Sequence, residues 1–421
     1  MLIRIGKILK NPYVFSIISK MCIVVLGFLY TVCQSRYLGA ALKGDVAYIS
    51  SITSITSIVF GCGIHQAYPY FKKKIKKDVA PLFLKLSLAL LGIYLLIAIL
   101  YLIIFNSNLT IGAIFILTPL LVYNKVVAYI SMVENPNKKN LTEMLANLLE
   151  LVTVIALWLL FPPTLLIGVF IFIVKDIFLA VLFTYRLRNY LFVPSELSLV
   201  NGIEILKFGV FPMLVLLMTT LNYRIDIIML KHSLNSAEVG IYSVGVMLAE
   251  RVWLIPDALK EVMISNLSKG KDTSEVSFVI RVCNSACIIV VIGIVALGQP
   301  FINIFFGKEY SSAYSVTVVI LIGVIFMIYY KMIAAYNIVQ GKQKENFLYL
   351  IISVICNIVA NIVFIPLLGN IGAAIASIFS YGISALLFTT HFIKETGSKM
   401  TDMLTINKND ISMIKERLAK K

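Results

Sequence analysis

Charge is scarce in this 421-residue chain. Asp, Glu, Lys and Arg make up 14% of it, against 60% hydrophobic residues, and the mean hydropathy is +0.93. A water-soluble domain carries roughly 25% charge, so a soluble enzyme or nucleic-acid-binding module is excluded. Histidine is rare too. His65, His232 and His391 are the only three, no His-Glu-x-x-His pair occurs, and no metal site is expected. A Gly-rich phosphate loop is missing, since GCGIH at 61–65 lacks the third glycine and the strand context. Without an ATP motor, any transport would draw on an ion gradient, the membrane potential or the substrate's own gradient. The six cysteines (22, 33, 62, 283, 287 and 356) lie in or beside apolar runs with no metal-type spacing. No disulfide, catalytic residue or cofactor is expected. Alternating strand patterns are also absent, which argues against a barrel.

What the chain has is apolar runs of about twenty residues along its whole length, the mark of a polytopic helical membrane protein. The runs predict twelve spans: 13–33, 45–64, 80–105, 110–133, 141–161, 164–186, 207–231, 238–263, 279–300, 313–339, 346–367 and 371–393. These divide into an N-terminal six-helix bundle (1–190), a cytoplasmic linker (191–206), a C-terminal six-helix bundle (207–394) and a basic cytoplasmic tail (395–421).

The excess of 37 Lys and Arg over 21 Asp and Glu sorts by side. One side holds Arg4, Lys7, Lys10, the run Lys72 to Lys77, Lys138, Lys139, Arg186, Arg188, Lys269, Lys271, Lys342, Lys344 and the tail. The other holds Arg36, Lys43, Lys231 and Lys308. The positive-inside bias puts both termini in the cytoplasm. The start, MLIRIGKILKNPY, reads as a short interfacial segment rather than a cleaved signal. The tail, with a weak apolar stripe at Ile411, Ile414 and Leu418, reads as solvated or surface-lying.

One segment occurs twice, 206 positions apart. YNKVVAYISMVENPNKKN (123–140) and YYKMIAAYNIVQGKQKEN (329–346) share six of eighteen positions, including Tyr123/Tyr329, Lys125/Lys331 and Asn140/Asn346. Each copy closes an apolar run, with its lysine about eight residues, roughly 12 Å, from the end. A lysine in hydrocarbon costs about 2.5–3.5 kcal/mol on insertion scales. Carrying one at matched depth in both halves points to a duplicated transporter with pseudo-symmetric cationic sites. Six spans per half make the repeats parallel, and such transporters bind substrate near the repeat interface.

Ionisable residues inside spans are functional candidates. They are Lys20, Lys125, Glu150, Lys175, Asp176, Arg224, Asp226, Glu250, Arg251 and Lys331. Lys85 and Arg281 sit near span ends and are expected to snorkel. Lys175 and Asp176 point about 100° apart on a helix, and Arg224 and Asp226 about 200° apart, so neither is a mutual pair. Each needs a partner elsewhere, either a structural carboxylate or a bound anion. Asp226, Glu150 and Glu250 are candidates for ion coupling.

Several segments carry a family resemblance: SRYLGAALKGDVAY (35–48), LNYRIDIIML (221–230), VGIYSVGVMLAERVWLIPDAL (239–259), FINIFFGKEYSSA (301–313) and IPLLGNIGAAIASIFS (365–380). In this order they resemble the Wzx-type flippases of the multidrug/oligosaccharidyl-lipid/polysaccharide exporter superfamily. The likeness covers most of the chain, with the more specific motifs in its C-terminal half. It implies an all-α integral membrane protein of two six-helix bundles around a central cavity, working by alternating access in the bacterial cytoplasmic membrane. The implied cargo is an undecaprenyl-pyrophosphate-linked oligosaccharide, an O-antigen or related polysaccharide unit, with membrane lipids and the polysaccharide polymerase machinery as partners. A pyrophosphate head needs a wet cationic cavity, and Lys and Arg are its natural ligands. On that reading Arg224, Lys331, Lys125, Lys20 and Lys175 are the cavity cations, in that order. Tyr330, Asn337, Asn357 and Asn361 are candidate sugar contacts, although such asparagines also bond between helices. Arg36 would meet the emerging head group.

Three rivals remain. A cation-coupled multidrug antiporter of the same superfamily needs an acidic or aromatic cavity, yet internal cations outnumber carboxylates. A sugar permease of the major facilitator type carries a Gly-Asp-Arg-Gly-type loop where this chain has YFKKKIKKD (70–78). A membrane glycosyltransferase or polymerase needs a large extramembrane loop, and the longest gap here is only about twenty residues, 187–206.

Overall fold

The computed structural model describes residues 12–75, 78–105, 108–193, 199–270, 272–406 and 410. The expectations for the interfacial start at 1–11, for Lys76, Lys77 and Lys271, for part of the linker (194–198) and for the stripe at 411–421 lie outside these residues. Among the described residues there is no strand, and ten helical stretches are long and apolar enough to cross a membrane. The chain is an all-helical, multi-pass membrane protein.

The chain separates into two compact units, Met1–Leu217 and Met218–Lys421. The first holds α1 (Pro12–Gly61), α2 (Ile64–Lys74), α3 (Ala80–Phe105), α4 (Leu109–Glu134), α5 (Pro136–Leu160) and α6 (Leu165–Arg186). Helix α7 (Leu199–Ser233) runs across the division. The second unit continues with α8 (Ser236–Glu250), α9 (Leu254–Ser268), α10 (Ser274–Phe305), α11 (Ala313–Val339) and α12 (Gln343–Thr396). The linker expected at 191–206 is therefore helical from Leu199 onward, and the units divide inside a helix rather than at a loop.

Ten stretches appear where twelve spans were expected because two of them hold two expected spans each. Helix α1 has 50 residues and α12 has 54. At 1.5 Å per residue these are about 75 and 81 Å long, far beyond a hydrocarbon core of about 30 Å. Each is broken by one glycine. Gly39 has φ 70°, ψ 171° and Gly369 has φ 58°, ψ −130°. Both conformations are closed to residues with a Cβ. Across the first break Lys43 Nζ reaches back to Gln34 Oε1 at 2.5 Å. Lys43, expected in an outer loop, is thus a helical residue bonded to the preceding helical segment.

Helix starts are capped as their sequences dictate. Asn108, Asn135 and Thr164 accept backbone N–H bonds from Ile111, Lys138 and Ile167, opening α4, α5 and α6. Pro136 takes the first turn of α5, where its missing N–H is harmless. The core of the first unit is built by Ile64, Tyr68, Phe71, Phe83, Tyr123 and Val127. Many of the remaining large apolar side chains point outward, such as Ile93, Leu96, Ile97 and Leu100 on α3. That inversion is expected where the surrounding solvent is lipid. The second unit closes on Tyr242, Tyr310, Phe388 and Phe392, each fully buried.

The described part of the tail, up to residue 410, lies largely exposed, as a surface segment should, but it is anchored at Met403 and Asp410. A short 3-10 turn, Met400–Met403, buries Met403 completely. Arg281, expected to snorkel, instead grips Asp410 through Nε (2.6 Å) and Nη2 (2.5 Å) and donates to the Asp402 carbonyl. Asn284 donates to the Met403 carbonyl at 3.0 Å and to the Tyr329 hydroxyl at 3.0 Å.

Candidate functional site

Each unit gathers its interior charges into its own cluster. In the first unit α1, α4, α5 and α6 supply them. The ion pair Lys175 Nζ–Glu150 Oε2 closes at 2.5 Å, with Glu150 only 1% exposed. Tyr30 lies beside Glu150, and the Lys175 ammonium sits 6.0 Å from the Tyr30 ring centroid. Tyr30 accepts from Gln34 Nε2 at 2.6 Å, and Gln34 in turn accepts from Lys43. Asp176 takes a bond from Asn124 Nδ2 at 3.3 Å, and its carbonyl takes another at 3.0 Å. Lys175 and Asp176 thus find separate partners, as their helical angles require.

Lys125 is arranged differently. Its Nζ donates to Ser57 Oγ at 2.7 Å, and among the described residues it forms no ion pair. It sits on α4 next to Asn124, about two-thirds of the way along the 26-residue helix. A hydroxyl dipole does not neutralise an ammonium, so this is a partly buried, uncompensated positive charge.

In the second unit Lys331 on α11 is the counterpart of Lys125, yet it has its own counterion. It binds both oxygens of Asp257 on α9, at 3.0 and 2.9 Å, and lies 4.5 Å from the centroid of the Trp253 ring. Asp257 also takes Lys260 at 3.0 Å. Arg224 pairs with Glu250 at 3.3 Å. Asp226 is 2% exposed and fully engaged: it accepts from the Ile227 amide at 2.8 Å, from the Tyr242 hydroxyl, and from Ser377 Oγ at 3.3 Å. Tyr223, Trp253 and Tyr381 stack beside these charges, with ring centroids 5.0 to 6.2 Å apart.

The candidate sugar contacts are packed inside the second unit. Asn337, Asn357 and Asn361 have no exposed surface. Asn337 donates to Asn346 Oδ1 at 2.8 Å, Asn357 to the Asn222 carbonyl at 3.0 Å, and Asn361 to the Asn357 carbonyl at 2.9 Å. Asn337 and Asn357 thus bond across to another helix, Asn361 bonds within its own, and all three are buried in this conformation. Tyr330 is 7% exposed, bonds Thr219 at 3.3 Å and packs edge-on to Phe388. Lys20 lies on the exposed side of α1, and Arg36 is likewise exposed.

Of the five expected cavity cations, then, Arg224, Lys331 and Lys175 carry carboxylate partners and Lys125 carries none among the described residues. Sequence reasoning missed Asp257, which lies seven residues past Glu250 in the same expected span, and Lys43, hidden by the Gly39 break. It also missed Ser57, one hydroxyl in a Ser- and Thr-rich run that gave no signal by itself. Among the described residues no group of three or more His, Cys, Asp or Glu side chains is placed to hold a metal.

Comparison with known proteins follows from this geometry. A family model described as "Polysaccharide biosynthesis protein" matches residues 9–252. No curated protein matches the sequence. Among solved structures, the lipid II flippase MurJ in an inward closed conformation is similar at TM-score 0.75 and 18% identity, covering 94% of this chain and 91% of MurJ. An inward-facing multidrug resistance MATE family transporter of the MOP superfamily is similar at TM-score 0.65 and 14% identity, over 91% of this chain and 98% of its own. A MOP superfamily transporter from Pyrococcus furiosus, described as having a reversed polarity of its binding pocket, is similar at TM-score 0.61 and 15% identity, over 92% of this chain and 97% of its own. At these identities the likeness establishes the fold.

Proposed function

Because the chain belongs to the polysaccharide biosynthesis protein family, we propose that it is a flippase for an undecaprenyl-pyrophosphate-linked oligosaccharide. It acts in the bacterial cytoplasmic membrane, with both termini inside, by alternating access coupled to an ion gradient. The cargo is an O-antigen or related unit, handed on to polymerase machinery. The protein performs transport, not bond chemistry.

One observation carries this reading: the Lys125 ammonium, held in a membrane-crossing helix and bonded to the Ser57 hydroxyl, with no carboxylate partner among the described residues. An uncompensated charge at that depth is costly, and an incoming diphosphate would relieve the cost. The relief is also what makes the site selective for an anion over a drug cation. Arg224 and Lys331 are held by Glu250 and Asp257. They serve the head group by exchanging those carboxylates for phosphate oxygens, and the released carboxylates are natural sites for the coupling ion.

The test is direct. Lys125→Ala and Lys125→Arg are reconstituted in proteoliposomes with a labelled polyprenyl-pyrophosphate oligosaccharide. A charge-assisted hydrogen bond contributes about 1.5–3 kcal/mol. Lys125→Ala should therefore slow flipping by about 10- to 150-fold, and Lys125→Arg should restore most of the rate. Unchanged flipping by Lys125→Ala at equal insertion would overturn the reading. Export of a cationic drug by the wild type, with no glycolipid movement, would assign the chain to the antiporters instead.

A further inference from the structure

The first unit holds a second basic feature, at one end of its helices and outside the clusters just described. Two adjoining cavities of about 400 and 390 Å³ open there and share Lys138, Arg186 and Asn189 as lining. They lie where α4 turns into α5 and where α6 runs into the short 3-10 turn Arg188–Tyr190. Arg188 and Tyr185 complete one wall. We infer that this crevice binds the phosphate of an anionic membrane lipid at the cytoplasmic leaflet, a role separate from cargo transport.

Its charge balance favours an anion. Among the described residues Lys138, Arg186 and Arg188 form no ion pair. Arg186 donates to the Lys138 carbonyl, which fixes its guanidinium over the crevice. Arg188 sits over the Tyr185 ring, 4.5 Å from its centroid, with no hydrogen bond to its guanidinium among the described residues. The one carboxylate in the lining, Glu134, is already taken by Lys72 at 2.7 Å, Tyr68 at 2.5 Å and Tyr190 at 3.3 Å. Three cations thus face open volume, with the nearby negative charge already engaged by other groups.

The surroundings favour a lipid over a free phosphate. Tyr185, which lines the crevice beside Arg188, is 58% exposed, and Phe192, four residues past Arg188 in the chain, is 86% exposed. Aromatic side chains of this kind sit at the headgroup level of a bilayer. Lys72 reaches Glu134, so the lysine-rich end of α2 shares this end of the unit, the one that the positive-inside bias assigns to the cytoplasm. Basic pockets between crossing helices on that side are suited to anionic headgroups.

The experiment uses the full chain, delipidated in detergent, and the double variant Lys138→Gln/Arg188→Gln. Both side chains are exposed and make no side-chain hydrogen bond, so the fold is preserved, and a matching far-UV spectrum checks it. Native mass spectrometry reads binding of phosphatidylglycerol, phosphatidylcholine and inorganic pyrophosphate. An interfacial cation contributes about fivefold in affinity for an anionic surface, so two contribute about 30-fold. The wild type should prefer phosphatidylglycerol to phosphatidylcholine, and the variant should lose about 30-fold for the first and nothing for the second. Pyrophosphate binding with the same residue dependence, and no preference for phosphatidylglycerol, would overturn the lipid assignment and make the crevice a site for a soluble phosphate. Equal phosphatidylglycerol binding by wild type and variant would overturn the site altogether.

Discussion

Replacing Lys175 with Met is the perturbation whose outcome the structure defines most sharply. The substitution keeps the unbranched stem of the side chain, one atom shorter, and removes its charge. It strands Glu150, which is 1% exposed and bonded to Lys175 at 2.5 Å. Breaking a buried ion pair from one side costs about 3–5 kcal/mol. Lys175 is itself 25% exposed, and Gln34-bound Lys43 stands close enough to soften the loss, so the lower figure applies. At about 2–4 °C per kcal/mol for a domain of this size, melting should fall by about 6–12 °C. Glu150→Gln should cost less, about 1–2 kcal/mol, because the freed ammonium can turn toward water. The double variant Glu150→Gln/Lys175→Met removes both charges at once and should melt above Lys175→Met alone. Thermal unfolding of the purified chain, followed by intrinsic fluorescence in one detergent, completes the cycle. Losses that add to within about 0.5 kcal/mol would refute the pair. The double variant should also still move cargo. If it folds normally and moves none, the pair takes part in transport, and flipping by Glu150→Gln alone then tells a coupling carboxylate from a Lys175 contact to the pyrophosphate.

Three other outcomes follow from named contacts. Lys331→Ala should cost only about 1 kcal/mol in stability, because Asp257 is 44% exposed and keeps Lys260; a proteoliposome assay should nevertheless show slowed flipping, with Lys331→Arg milder. Gly209→Ala should lower the melting temperature through overpacking of about 1–3 kcal/mol, since a Cβ there would lie 2.3 Å from the Cys62 carbonyl oxygen. Arg281→Ala should free Asp410, and with it the tail, from α10, and limited trypsin digestion should then cut at exposed Lys399 faster than in the wild type; an unchanged digestion rate would show that Asn284 alone holds the strap.

Much of the fold could be read from the sequence because a bilayer imposes a strict rule: about twenty apolar residues per crossing, with the backbone bonded within each helix. The breaks were harder. SRYLGAALKG looks like a loop by composition, but one glycine at φ 70° is all the chain needs to turn there. Which charges pair was the least legible part. Lys175 and Glu150 are 25 residues apart and Lys331 and Asp257 are 74 apart; such partners meet only once helices have packed. Helical angles did exclude the false pairs Lys175–Asp176 and Arg224–Asp226. Asn357 and Asn361 show the limit of residue type as a clue. An amide suits a sugar hydroxyl and a neighbouring helix equally well, and only burial tells the two apart.

The repeated lysines have a consequence for how this chain evolved. One ancestral position now exists in two electrostatic settings: Lys331 bridged to Asp257, and Lys125 leaning on Ser57. A substitution that installed an acid within reach of Lys125 would give both lysines a counterion and, on the proposed reading, remove the first unit's preference for an anion. Natural variation should therefore tolerate Ser, Thr or Gly at position 57 and reject Asp and Glu, while position 257 should hold its carboxylate. On the proposed reading the two matched lysines divide the labour, Lys331 keeping its counter-charge at home and Lys125 receiving the guest.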